Sequence, residues 1–436
     1  MSEINNGKKR RCVITGMGAV TSLGLDLDST WDGIVNSRSG VSRIALFNPE
    51  TFPAQIAGEV KGFDLKKYIP HVNEHLSDFM SRATRYGLAA AQMAIASAKI
   101  DLKNIEPSMF GVSVGTGEES ADLDQFDKVF GAENVYKSFV TDKYVSESYR
   151  SIGKIWPIRR NANLAASALS IQFNTQGSMN TSVTACASSG HAIGKAMRFI
   201  ESGDADIMLT GGCEGLINEF TVAGFGLLGA LSTRNDAPEK ACRPFDLKRD
   251  GFILAEGSGM FIVVELEHAK SRGANILAEL TGFGCSSNAY RITDSPPDGR
   301  GAVLSMTWAL KDGNKPAGDV NYINAHGTST MLNDRCETVS VKKVFGKQAY
   351  KIPVSSNKSM LGHMIAASAA VEAIISVLAI KNNLIPATLN LDNPDPDCDL
   401  DYVPNVAREQ EVNVVLSNSF AFGGQNVSIL IERFKE

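Results

Sequence analysis

The sequence predicts an α/β fold, and three observations carry that reading. Short apolar runs with strand character alternate with helical patterns along nearly the whole chain. Several runs end in turns built from Gly, Ser, Thr and Ala, residues that let the backbone bend sharply or approach a ligand closely. With 43% apolar and 21% charged residues, 436 residues can fill a large core.

In chain order, residues 12–15 read as a buried strand that gives way to a turn at Gly16-Met17-Gly18 and a loop through Thr21-Ser22-Leu23-Gly24. Residues 79–98 are Ala-rich with helical spacing, and 110–114 form a strand ending at Gly115-Thr116-Gly117. From 118 to 157 the chain is polar and aromatic with weak periodicity, as in a loop with short helices. A helix at 163–173, a short strand at 182–184, a helix at 188–202 and strands at 207–210 and 259–265 follow. Residues 268–275 form a polar helix end and turn that joins a first half, 11–268, to a second, 276–436. The second half runs strand 278–283, helix 302–311, strands 322–324 and 352–355, helix 363–380, and strands 413–416 and 427–431. Each half contains a strand, a polar Gly-rich turn and a small-residue helix. The turns are Thr184-Ala185-Cys186-Ala187-Ser188-Ser189-Gly190 and Asn357-Lys358-Ser359-Met360-Leu361-Gly362-His363, the pattern of a diverged internal duplication.

Lys and Arg total 43 against 48 Asp and Glu, a net charge of −5 with no basic run beyond the four residues Lys8-Lys9-Arg10-Arg11, which speaks against nucleic acid and anionic membrane surfaces. Seven cysteines (12, 186, 213, 242, 285, 336, 398) include no Cys-x-x-Cys pair, so neither a zinc knuckle nor a disulfide frame is expected. Scattered single thiols suit a reducing compartment. The first eleven residues lack the apolar stretch of a signal peptide, and the apolar segment 366–380 is short and interrupted by Glu372. A cytoplasmic protein is expected.

Cys186 sits where a strand turns into a helix, among residues small enough to admit a carbonyl to the sulfur. A helix N-terminus favours the thiolate, so a lowered thiol pKa is expected, and its free N–H groups can stabilise an oxyanion. His326 lies in Asn324-Ala325-His326-Gly327-Thr328-Ser329-Thr330, just beyond a strand, at the sheet edge where ligands collect in α/β folds. His363 opens a helix after Lys358-Ser359-Met360-Leu361-Gly362. One nucleophile and two imidazoles suit acyl transfer.

These segments resemble the β-ketoacyl-acyl carrier protein synthases, most closely the chain-elongating class II form. The resemblance extends to Val13-Ile14-Thr15-Gly16-Met17-Gly18, Leu231-Ser232-Thr233-Arg234-Asn235-Asp236, Arg243-Pro244-Phe245-Asp246, Arg249-Asp250-Gly251-Phe252 and Asn390-Leu391-Asp392-Asn393-Pro394. It implies the thiolase fold, two similar halves in α-β-α-β-α layers, paired as a homodimer or with a related ketosynthase-like chain. It implies Cys186 as the acylated nucleophile, and His326 and His363 as the pair acting on malonyl decarboxylation. Lys358 would orient the histidines, and Phe422 would be a gate whose N–H joins that of Cys186 in an oxyanion hole. Thr328, Thr330 and Glu118 would contact substrate, while Asn324, Glu372, Ser417 and Asn426 would surround a structural monovalent cation or a buried polar network. An unpaired carboxylate in an apolar helix is costly, so Glu372 needs such a partner. No organic cofactor and no catalytic metal are implied; the implied partner is an acyl carrier protein bearing acyl and malonyl groups.

Four features depart from the family pattern and favour a specialised synthase over the fatty acid housekeeper. Glu118-Glu119-Ser120 stands at the expected end of the acyl pocket, and Arg159-Arg160-Asn161 replaces apolar or small residues. Residues 68–81 hold no Lys or Arg, and Gly229 stands where an arginine is usual. A biosynthetic thiolase would need a second cysteine near Phe422-Gly423-Gly424-Gln425-Asn426, and a non-catalytic chain-length partner would lack Cys186. A papain-like hydrolase would not need the second histidine.

Overall fold

A computed structural model describes residues 10–76, 78–117 and 161–436. Ten strands form its main sheet: β1 Cys12–Val20, β2 Phe110–Thr116, β3 Met179–Ser182, β4 Ile207–Glu214, β5 Gly257–Glu265, β6 Ala278–Ser287, β7 Tyr322–Asn324, β8 Val354–Ser355, β9 Val414–Phe420 and β10 Gln425–Glu432. The five main helices are α1 Arg82–Ser97, α2 Ser188–Ser202, α3 Arg300–Asp312, α4 Met331–Phe345 and α5 Ser368–Asn382.

Strand order shows the duplication directly. The first five strands lie in the order β3-β2-β4-β5-β1 and the second five in the order β8-β7-β9-β10-β6, the same permutation. Directions repeat too: the first three strands of each set are mutually parallel and the remaining pairs antiparallel. The halves join through a short antiparallel contact of β1 with β6, where Cys12, Val13 and Ile14 oppose Leu280, Glu279 and Ala278.

Helices α2 and α5 lie between the halves and touch strands of both, while α1 covers the outer face of the first half and α3 that of the second. The result is five layers, α-β-α-β-α. A middle layer explains why β1, β4 and β5 are buried along their whole length and carry apolar runs without alternation. It also explains α5. The stretch Ile365–Asn382 is long and apolar enough to cross a membrane, but 89% of it is buried inside this fold.

Three expectations need correction. His363 does not open a helix: it lies between the short helix Lys358–Leu361 and the 3₁₀ turn Ile365–Ala367, and α5 begins only at Ser368. Gly16 and Gly18 do not end the first strand. They continue it past a bulge, because a Cβ would lie 2.2 Å from Ala94 O at Gly16 and 2.1 Å from Ala90 O at Gly18. Glycine serves close helix approach here, not a turn. The duplicated turns also pair in a different register. Ala185 and Ile365, both at positive φ (47° and 38°), open the three-residue 3₁₀ turns Ala185–Ala187 and Ile365–Ala367, each followed by a 15-residue helix. Cys186 therefore matches Ala366, not a residue of the Lys358 segment.

Candidate active site

The turn that carries Cys186 is strained and held. A positive φ at a non-glycine residue costs about 1–3 kcal/mol and persists only where surroundings enforce it. Ser188 enforces it here: its Oγ donates to Ala185 O (2.7 Å) and accepts from Thr184 N–H (2.8 Å). Cys186 is thereby set on the floor of a cavity of about 340 Å³.

The second half delivers the imidazoles. His363 follows Gly362 (φ 77°) and is anchored through its backbone, its N–H donating to Ile253 O (2.7 Å) and its carbonyl accepting from Ala255 N–H (2.9 Å). Its Nε2 lies 3.1 Å from Cys186 Sγ and its Nδ1 2.9 Å from Ser368 Oγ. His326 stands on the loop after β7, fixed by Glu337 of α4, whose carboxylate accepts from the N–H groups of His326 (2.9 Å) and Gly327 (2.8 Å). Sγ of Cys186 and a ring nitrogen of each histidine all lie within 4.8 Å of one another, and the imidazoles meet edge to face at 5.4 Å. His71 and His75, four residues apart in the sequence, are exposed and outside this cluster.

Lys358 and Glu372 form an ion pair buried beside the histidines, so Glu372 has the partner its apolar helix demanded. Burial pushes the Glu372 carboxyl up to about 7, against the pull of Lys358. Burial, then the charge of Lys358, holds both imidazoles well below the usual histidine range, so both are neutral at neutral pH. The thiol contradicts the expected lowering. Burial pushes Cys186 up to about 11, although Lys358 and the N–H groups of Phe422 and of Cys186 itself pull it down. A helix end carries about half a charge, too little to offset the burial of the sulfur.

The N–H groups of Phe422 and Cys186 thus both face the sulfur, on turns from different halves. Gly423 and Gly424, at φ 81° and 79°, make the Phe422 turn possible. Thr328 and Thr330 line the cavity, with their hydroxyls 2.9 Å apart. Gly229 stands at its wall beside Leu228, and Asp250 and Asp294 are its only charged side chains among the described residues. Glu118, Glu119, Arg159 and Arg160 lie outside the described residues.

Asn324 lies beside Glu372, its Nδ2 donating to Glu372 O (3.1 Å), and Ser417 pairs with Asn324 across β9 and β7. Asn426 does not belong to this group. It shares a face of β10 with Ser428, whose Oγ meets Ser305 of α3, so it points to the outer layer and donates to Asn288 Oδ1 (2.9 Å). Sequence reasoning missed Glu337 and Ser368. Nothing marks a glutamate in a polar helix, or a serine among alanines, as a partner of a histidine elsewhere.

Comparison with known proteins agrees with this geometry. The profile of the β-ketoacyl synthase N-terminal domain matches residues 9–269 and that of the C-terminal domain residues 277–392. 3-Oxoacyl-acyl carrier protein synthase 2 of Synechocystis is 40% identical over 430 residues, covering 99% of this chain and 100% of its own. That of Coxiella burnetii is 40% identical over 426 residues, covering 98% and 99%. Among solved structures, a ketosynthase bound to a hexaketide, in complex with its type II polyketide acyl carrier protein, has a TM-score of 0.84 at 34% identity. It covers 98% of this chain and 100% of its own. The ishigamide ketosynthase/chain length factor has a TM-score of 0.86 at 31% identity with the same coverage. With the fold, the thiol and both imidazoles in place, the chain belongs to the β-ketoacyl synthase family and is an acyltransferase of the β-ketoacyl-acyl carrier protein synthase type.

Proposed function

We propose that this synthase works in a specialised pathway, extending a polyketide or polyene chain by two carbons on an acyl carrier protein. The observation that carries the chemistry is the meeting of Cys186, His326 and His363 within 4.8 Å at the floor of one cavity. In this reading the Cys186 sulfur attacks an acyl-carrier thioester, the carrier thiol leaves with the sulfur's proton, and the acyl group stays on Cys186. N–H groups of Cys186 and Phe422 stabilise the oxyanion. Malonyl-acyl carrier protein then loses carbon dioxide, and the two imidazoles stabilise the enolate oxygen it leaves. The enolate carbon attacks the enzyme thioester and expels the Cys186 thiolate, so decarboxylation replaces proton abstraction. Thr328 and Thr330 would hold the carrier's arm on its way in.

Supporting the specialised pathway are the likeness to polyketide ketosynthases and a described cavity wall with two carboxylates and no Lys or Arg. A partner chain, identical or related, fits the same likeness. The housekeeping reading is favoured by 40% identity to the fatty acid relatives over their whole length. For the expected structural cation, the buried oxygens Asn324 Oδ1 and Glu372 Oε2, without partners among the described residues, are a fitting donor set with Ser417 beside them. An elongation assay with saturated long-chain and with short unsaturated or aryl acyl carriers tests the proposal. Preference for the short unsaturated or aryl chains is expected. Efficient turnover of the long saturated chains by this protein alone overturns the specialised reading.

A further inference from the structure

Ser368 touches His363 and has no part in the roles derived above. It opens α5 as Ser188 opens α2, so the two serines hold matching places in the two halves. They spend their hydroxyls differently. Ser188 Oγ is used up on its own turn, donating to Ala185 O and accepting from Thr184 N–H. Ser368 Oγ is buried, 1% exposed, and its one hydrogen-bond partner among the described residues is His363 Nδ1 at 2.9 Å.

A buried hydroxyl needs an acceptor for its hydrogen, and the lone pair of Nδ1 is the acceptor within reach. The reverse arrangement, Nδ1–H donating to Oγ, would leave the serine O–H without one. His363 is neutral, held so by burial and then by Lys358, and therefore carries a single ring proton. If Nδ1 accepts, that proton is on Nε2, which faces Cys186 Sγ at 3.1 Å.

We propose that the Ser368 hydroxyl, by donating to Nδ1, fixes His363 in the tautomer with its proton on Nε2 and is thus a positioning residue for the condensation. The proposal rests on the reading of Cys186 and His363 given above. It makes His363 a hydrogen-bond donor in the resting protein, aimed where negative charge develops on sulfur and on the enolate oxygen. His363 does not then accept the thiol proton in that state. His326 lacks an equivalent device: its Nδ1 is buried without a partner among the described residues.

The test uses the full chain labelled with ¹⁵N-histidine, the His363 signal being assigned with His363→Asn. Wild type should show an unprotonated Nδ1 and a protonated Nε2. Ser368→Ala should populate both tautomers and slow malonyl decarboxylation and condensation about tenfold, with a smaller effect on acyl transfer to Cys186. Ser368→Thr, which keeps the hydroxyl, should restore the wild-type tautomer and most of the rate. A proton on Nδ1 in wild type, or an unchanged tautomer and rate in Ser368→Ala, overturns the proposal. Should Ser368→Ala fail to fold, the tautomer in Ser368→Thr decides: Nε2–H supports the proposal and Nδ1–H overturns it. Absence of acyl loading on wild-type Cys186 would instead defeat the functional reading, and the tautomer could still be read.

Discussion

The two halves contain the same strained turn, and only one of them carries a thiol. Ala185 and Ile365 both adopt positive φ, both lead through a 3₁₀ turn into a 15-residue helix, and Cys186 and Ala366 hold the matching position. Their backbone N–H groups meet different fates. That of Cys186 points to its own sulfur at an open cavity, whereas that of Ala366 donates to the buried carboxylate of Glu214 (3.2 Å). The duplicated fold therefore supplies two turns with inward N–H donors. One faces the cavity, where the proposed reaction puts an oxyanion, and the other is filled by a protein carboxylate. An isoleucine in the left-handed region is the less tolerable of the two strains, and it survives where no chemistry is done. That places the origin of the strain in the architecture, not in the reaction.

The comparison can be broken most strongly at the histidines, which both come from the half whose own turn is closed. His326→Ala and His363→Ala should each slow condensation by about 10²–10⁴-fold, while acyl transfer to Cys186 survives in part. Equal, complete loss of acylation in both variants would assign them instead to the thiol. The open turn also has a pH signature. A thiol pushed up to about 11 gains thiolate about tenfold per pH unit, so alkylation of Cys186 should rise without a bend from pH ~6 to ~9.5. A plateau setting in near the ordinary cysteine value of ~8.5 would show that burial does not control the sulfur.

Next in size is the scaffold of His326. Burial pushes Glu337 up to about 7, so its folded pKa exceeds the unfolded value. Its contribution to stability is then fully present below about pH 4.3 and is lost as pH rises through about 7. Glu337→Gln keeps the neutral form but gives up one of two acceptor oxygens. It should cost about 1–3 kcal/mol in denaturant unfolding and flatten the pH dependence between those values. Undiminished stability would mean that the His326 loop does not depend on this carboxylate. The smallest effect concerns the Cys186 turn itself. Ser188→Ala should lower the unfolding free energy by about 1 kcal/mol, and an unchanged value would show that the strain at Ala185 is held by other contacts.

Much of this was legible in the sequence, for physical reasons that also mark where reading stopped. Cys186, His326 and His363 stand in turns of small and polar residues, which makes them visible without coordinates. Alternating apolar runs carry the α/β class, and the strands of the main sheet answer to apolar runs except β3, whose residues Met179–Ser182 are mostly polar and begin before the strand expected at 182–184. Gly16 and Gly18 misled because glycine signals both turns and close packing, and only the alanine helix lying on them decides between these. The duplication was seen in the wrong register because the residue matching Cys186 is an alanine. Asn426 was misassigned because its face of β10 depends on strand register, and the thiol's pKa direction because depth of burial is not written in local sequence. Glu337 and Ser368 act on histidines 11 and 5 residues away through folded turns, a relation no local pattern carries.

The central claim is that the chemistry belongs to one turn of the pair. Intact-mass analysis after exposure to acyl carrier proteins tests it most directly, using wild type, Cys186→Ala, and Cys186→Ala combined with Ala366→Cys. One acyl adduct on wild type and none on either variant is the predicted result, because Glu214 already occupies the N–H of the second turn. An adduct that persists in Cys186→Ala, or one that reappears on position 366 of the double variant, would contradict it.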